Sequence, residues 1–150
     1  MKEIRLRKVC YSPGYSDMRG GRHSMSLAKD NSGCWTLICS DRESHDAPAV
    51  TAAYAVSDEA VALFEAFITD NRVFSLEKRP ESNEFATDYS PWSFSFDYEK
   101  TTFGKIVRDS CGFDEYKRYS GADYALIKEL RDRFTALRGE KISEVIEENK

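Results

Sequence analysis

A chain of 150 residues, 41% apolar and 13% aromatic, can bury one real hydrophobic core without metal or disulfide staples. Its net charge of −4 is uneven: residues 1–40 carry seven Lys/Arg against three Asp/Glu, residues 41–99 four against thirteen, and residues 100–150 eleven against ten. The overall acidity opposes direct nucleic-acid binding, and no stretch approaches the roughly 20 apolar residues of a membrane span.

The opening run Met1-Lys2-Glu3-Ile4-Arg5-Leu6-Arg7-Lys8 alternates charged and apolar residues and lacks the apolar core of a secretory signal, so a cytoplasmic setting is expected. Glu3–Tyr11 reads as a first strand, with Ile4 and Leu6 inward, Cys10 as the next inward candidate, and Arg5 and Arg7 outward. Ser12-Pro13-Gly14 breaks it. Arg22–Ala28 is a second strand in which His23, Met25 and Leu27 share a face, which predicts a packed or half-buried histidine. Lys29-Asp30-Asn31-Ser32-Gly33 is a dense turn signal, and Cys34–Ser40 completes a hairpin.

Val50–Val56 alternates again. Ser57 then offers an N-cap, Asp58 and Glu59 suit the positive end of a helix dipole, and Ala60, Val61, Phe64, Phe67 and Ile68 recur at helical spacing through Thr69. Arg72–Leu76 is expected as a short strand and Glu77–Ser90 as a polar loop. The strongest signal follows. Trp92, Phe94, Phe96 and Tyr98 alternate with Ser93, Ser95, Asp97 and Glu99, so one strand presents four aromatics to the core. A turn at Glu99-Lys100-Thr101 leads to a second arm, Thr102–Arg108, carrying Phe103, Ile106 and Val107. Asp109–Gly121 reads as irregular. Ala122–Leu137 is the second helix, capped by Ser120 or Asp123, with a Leu126, Ile127, Leu130, Phe134, Leu137 stripe and Gly139 as its stop.

The predicted fold class is α+β: a mainly antiparallel sheet of six or seven strands with two helices on one face. The predicted order is β-β-β-β-α-β-β-β-α. Residues 1–139 form the domain and residues 140–150, with Ile142, Val145 and Ile146, a short C-terminal helical tail.

Chemistry is sparse. The four cysteines are expected to be reduced, and Cys34 and Cys39, five apart, fall on opposite faces of a continuous strand. His45 lies in Asp41-Arg42-Glu43-Ser44-His45-Asp46, which lacks the spacing and second histidine of a metal motif. No metal, cofactor or catalytic residue is assigned. Two loops carry the Tyr, Met and Arg that favour interfaces: one holds Tyr15, Met18 and Arg19, the other Tyr116, Lys117, Arg118 and Tyr119. The expected function is therefore a non-enzymatic protein-interaction domain binding another protein through these loops. The alternatives are an acidic inhibitor of a nucleic-acid-binding protein, and a hydrolase or transferase whose site assembles near His45 and Asp46 with a cysteine.

The order of segments also carries a resemblance. Tyr54-Ala55-Val56 running into a helix, then Ser90-Pro91-Trp92-Ser93-Phe94-Ser95-Phe96 and a terminal helix, resembles a loose set of small uncharacterised bacterial domains over residues 4–137. Glu99-Lys100-Thr101 stands where that set has a D-G turn. The resemblance implies a compact α+β unit and brings no catalytic residue.

Overall fold

The aromatic strand is the wall of the core. In a computed structural model, which describes residues 4–12, 22–42, 48–78, 92–114 and 120–147, Trp92, Phe94, Phe96 and Tyr98 are all buried. They lie on or beside β5 (Ser93–Thr102), one of seven antiparallel strands among the described residues. The others are β1 (Ile4–Ser12), β2 (Arg22–Lys29), β3 (Trp35–Arg42), β4 (Ala49–Ala55), β6 (Lys105–Asp114) and β7 (Lys141–Glu147). Their spatial order is β6-β5-β1-β2-β3-β4-β7. Two helices, α1 (Asp58–Asp70) and α2 (Gly121–Thr135), carry the chain back and forth across the sheet.

Both helices bury their stripes against the aromatic face: Val61, Phe64, Phe67 and Ile68 from α1, and Ile127, Leu130 and Phe134 from α2. Phe94 sits at the centre. Its ring stacks on Tyr11 at 4.4 Å and meets Phe134 edge-on at 6.0 Å, geometries that suit aromatic quadrupoles. The caps are as the sequence implies: the Ser57 hydroxyl accepts from Ala60 N–H at 3.1 Å and the Ser120 hydroxyl from Asp123 N–H at 3.2 Å.

Four expectations are corrected. The residues after Gly139 form strand β7, not a helical tail. Seven residues make a marginal helix, whereas β4 offers an unpaired edge, and Val50, Thr51, Ala52 and Ala53 pair with Ile146, Val145, Glu144 and Ser143. Arg72–Leu76 is not a strand either. Val73–Lys78 forms a 3-10 helix, whose three-residue repeat brings Val73 and Leu76, both fully buried, to one side. With these two changes the order becomes β-β-β-β-α-(3-10)-β-β-α-β.

The third correction concerns the β5–β6 turn, which lies at Phe103-Gly104, not at Glu99-Lys100-Thr101. Thr102 pairs with Lys105, and β6 continues through Asp109–Asp114, a stretch expected to be irregular. Finally, a bulge at Arg7 breaks the alternation of β1. Leu6 pairs with Tyr98 and Lys8 with Asp97, so Arg7 and Lys8 both face out, Val9 and Tyr11 turn inward, and Cys10 moves to the helix-free face. The Leu6 N–H at the bulge donates to the Glu65 carboxylate of α1 at 3.0 Å.

Candidate functional site

The end of the sheet where β5 finishes and β1 begins gathers the features that packing alone leaves unexplained. The hairpin turn has positive φ at both central residues, 51° at Phe103 and 75° at Gly104, as two-residue hairpin turns of the I′ kind require. Glycine adopts this conformation freely, and Asn or Asp tolerate it; for an aromatic residue it is costly. Phe103 gains no burial in return, being 100% exposed. Beside it Ile106 is 72% exposed and Val107 42%. Ile106 pairs with Thr101 on the helix-free face and Val107 with Lys100 on the helix face, so the tip presents apolar surface on both sides.

Behind the tip, on the helix face, lies a cleft of about 580 Å³ lined by Ile4, Ile68, Phe74, Tyr98, Arg72 and Lys100, with Thr69 and Ser75. Its floor is apolar, with Phe74 stacked on Tyr98 at 4.2 Å. The Thr69 hydroxyl donates to Glu65 C=O at 3.0 Å and the Ser75 hydroxyl to Arg72 C=O at 2.6 Å, so both are used within the chain. Lys100 Nζ donates to Asp109 at 2.9 Å. That bond, with a further one from Ser110 N–H, holds the Asp109 carboxyl below the usual carboxylate range. Burial, reinforced by the Asp109 charge, pushes the Tyr98 hydroxyl up to about 12, so it stays protonated at neutral pH. Arg72 stands just beyond the α1 C-cap with φ 51°, where a glycine would ordinarily sit. Arg72 and Phe103 are the two non-glycine residues with positive φ among those described, and both belong to this end of the molecule.

The face opposite α1 and α2, free of helix among the described residues, is a different kind of surface. Arg7 pairs with Glu99 at 2.7 Å, and Arg108 grips Asp97 through Nε at 3.0 Å and Nη2 at 2.5 Å. Two hollows of about 470 and 500 Å³ share Lys8, Asp97 and Arg108. Beyond this ladder the strand row through Gly112, Ser95, Cys10, Ser26, Ile38, Ala53 and Ser143 carries small side chains apart from Ile38, which is exposed.

The site residues expected from sequence, Tyr15, Met18, Arg19, Tyr116, Lys117, Arg118 and Tyr119, lie outside the described residues, as do His45 and Asp46. The strands that lead to the two loops do end side by side: Ser12 pairs with Ser93, which pairs with Asp114. His23 is half-buried and meets Asp41 at 2.8 Å through Nδ1.

All four cysteines are free; Cys39 and Cys111 are buried, and Cys34 is exposed in the turn before β3. Burial pushes the Cys39 thiol up, and burial with the nearby Glu77 carboxylate does the same to Cys111, the reverse of what a thiolate nucleophile needs. Among the described residues no group of three or more His, Cys, Asp and Glu could hold a metal ion. Among them, too, no helix is long and apolar enough to cross a membrane.

Sequence reading missed Phe103, Val107 and Arg72. The available signal was Phe103-Gly104 between Thr102 and Lys105, a possible two-residue turn with an unusual first residue. Comparison with known protein families, with curated proteins and with solved structures finds no match.

Proposed function

We propose that the chain is a non-enzymatic protein-interaction domain whose main contact element is the β5–β6 hairpin tip. The observation that carries this reading is Phe103: a fully exposed aromatic held in a left-handed conformation that disfavours it. Strain and solvent exposure both argue against a stability role, and large rigid apolar side chains are what interfaces use as anchors. Ile106 and Val107 widen the patch, and Lys105, the first residue after the turn, gives it positive charge. The fitting partner is a protein with an apolar socket bordered by carboxylates.

Phe103→Asn separates function from folding. Asn suits the first position of this turn, so removing the left-handed penalty should raise stability by about 1 kcal/mol, or about 2–4 °C in Tm. The expected result is a partner retained from native lysate by the wild-type chain and lost from this more stable variant. Equal retention by both would refute the tip as the contact. Phe103-dependent binding to anionic lipid vesicles would replace the protein partner with a membrane surface.

The loops bearing Tyr15, Met18, Arg19 and Tyr116, Lys117, Arg118, Tyr119 provide the second reading, favoured by the adjacency of the strand ends that lead to them. Loss of the partner on changing Tyr116 and Tyr119 to Ala, with Phe103→Asn neutral, would move the contact to that end. For the acidic-inhibitor reading, four acids of residues 41–99 are already engaged within the chain. Asp97 and Glu99 pair with arginines, while Glu65 and Glu77 accept backbone N–H groups of Leu6 and Gly112.

A further inference from the structure

We infer that the cleft between the 3-10 helix and the β1–β5 pair is a binding site for a small monocarboxylate with an apolar body. Its volume of about 580 Å³ falls within the range of about 300–1,000 Å³ typical of small-molecule sites. Ile4, Ile68, Phe74 and Tyr98 supply apolar walls, so a wholly hydrated ion would gain little there. The polar groups sort themselves. Thr69 and Ser75 spend their hydroxyl protons on backbone carbonyls, and Tyr98 directs its hydroxyl toward Asp109 at 3.5 Å. Lys100 holds Asp109 with one of its three protons and keeps others to offer.

Arg72 forms no ion pair with an acid among the described residues, and its guanidinium is a planar fork suited to a carboxylate. The backbone at Arg72 also bears the cost of φ 51° where glycine would be unstrained, which marks the side chain as the reason for the residue. An apolar body against the walls and a carboxylate between Arg72 and Lys100 satisfies both halves of the cleft. The ligand would enter whether or not the hairpin tip docks a protein.

The test uses the full chain, isotope-labelled at isoleucine methyls, titrated with 3-phenylpropanoate and with its neutral amide. The acid should shift the Ile4 and Ile68 methyls with a dissociation constant of about 1 mM or tighter. Arg72→Gly removes the cation while relieving the backbone, so the variant should fold at least as stably. It should nevertheless bind the acid about tenfold more weakly, with Arg72→Lys restoring part of the loss. The amide should bind wild type and Arg72→Gly alike. Equal affinity for acid and amide in the wild type would overturn the inference, as would shifts remote from Ile4 and Ile68. So would the absence of any shift, or contacts showing the cleft filled by residues of this chain.

Discussion

Gly139→Ala tests why the chain after α2 becomes a strand. A Cβ built on Gly139 would lie 2.2 Å from the Ala55 carbonyl oxygen and 3.3 Å from its carbonyl carbon. The obstacle is backbone, so no side chain can swing aside. Either Gly139 or Ala55 must move by about an ångström to reach ordinary contact distance. That movement pulls on the 2.8 Å bond from Ala55 N–H to Glu140 C=O, the first link between β4 and the returning chain.

Gly139 does not have positive φ, so alanine is conformationally welcome there. Its smaller unfolded-state entropy would favour folding by about 0.4–1 kcal/mol. Overpacking costs about 1–3 kcal/mol, and the clash wins. Taking the middle of each range, the net loss should be about 1.3 kcal/mol, lowering Tm by about 2–4 °C per kcal/mol for a chain of this size. Ile142, Val145 and Ile146 are all more than half exposed, so β7 is held mainly by its ladder and should detach while the core stays folded. Hydrogen exchange should show protection lost along β7 and the facing edge of β4, with β1, β2 and β5 amides lowered only by the global loss of stability. An unchanged or raised Tm with β7 still protected would refute the reasoning.

Thiol accessibility and acid stability offer two further checks. A disulfide reagent at neutral pH should modify Cys34 first and leave Cys39 and Cys111 untouched until the protein unfolds, because both are buried and their thiols are pushed up. Fast labelling of all four in the native state would contradict the burial pattern. Asp97, held low by the Arg108 hydrogen bond, and Asp109, held low by Lys100, have folded pKa values below their unfolded ones. Their contribution is therefore complete above the unfolded value of about 3.9 and fades as pH falls through the folded values. Urea midpoints should drop on acidification below about pH 4, and the drop should shrink in a chain carrying Asp97→Asn and Asp109→Asn. A midpoint that rises toward acid would show the sign to be wrong.

What the sequence determined by itself was whatever a local period can encode. The Trp92–Tyr98 alternation marked the core wall because a period of two admits one inward face, and both helices announced themselves through apolar spacing and serine caps. The Asp30–Gly33 turn was equally legible: the Asp30 carboxylate accepts from the backbone N–H groups of Ser32 and Cys34 within four residues. Only the tertiary structure decided the rest. Whether Ile142-Ser143-Glu144-Val145-Ile146 coils or extends depends on an edge left open about ninety residues earlier, at β4. The bulge at Arg7, which sends Cys10 outward, is settled by pairing with β5 and by Glu65 reaching from α1. Phe103 reads as an apolar residue of the second strand arm, because composition cannot say whether a residue stands within a strand or at its turn. Only the Thr102–Lys105 pairing leaves it at the tip, strained and wholly in water.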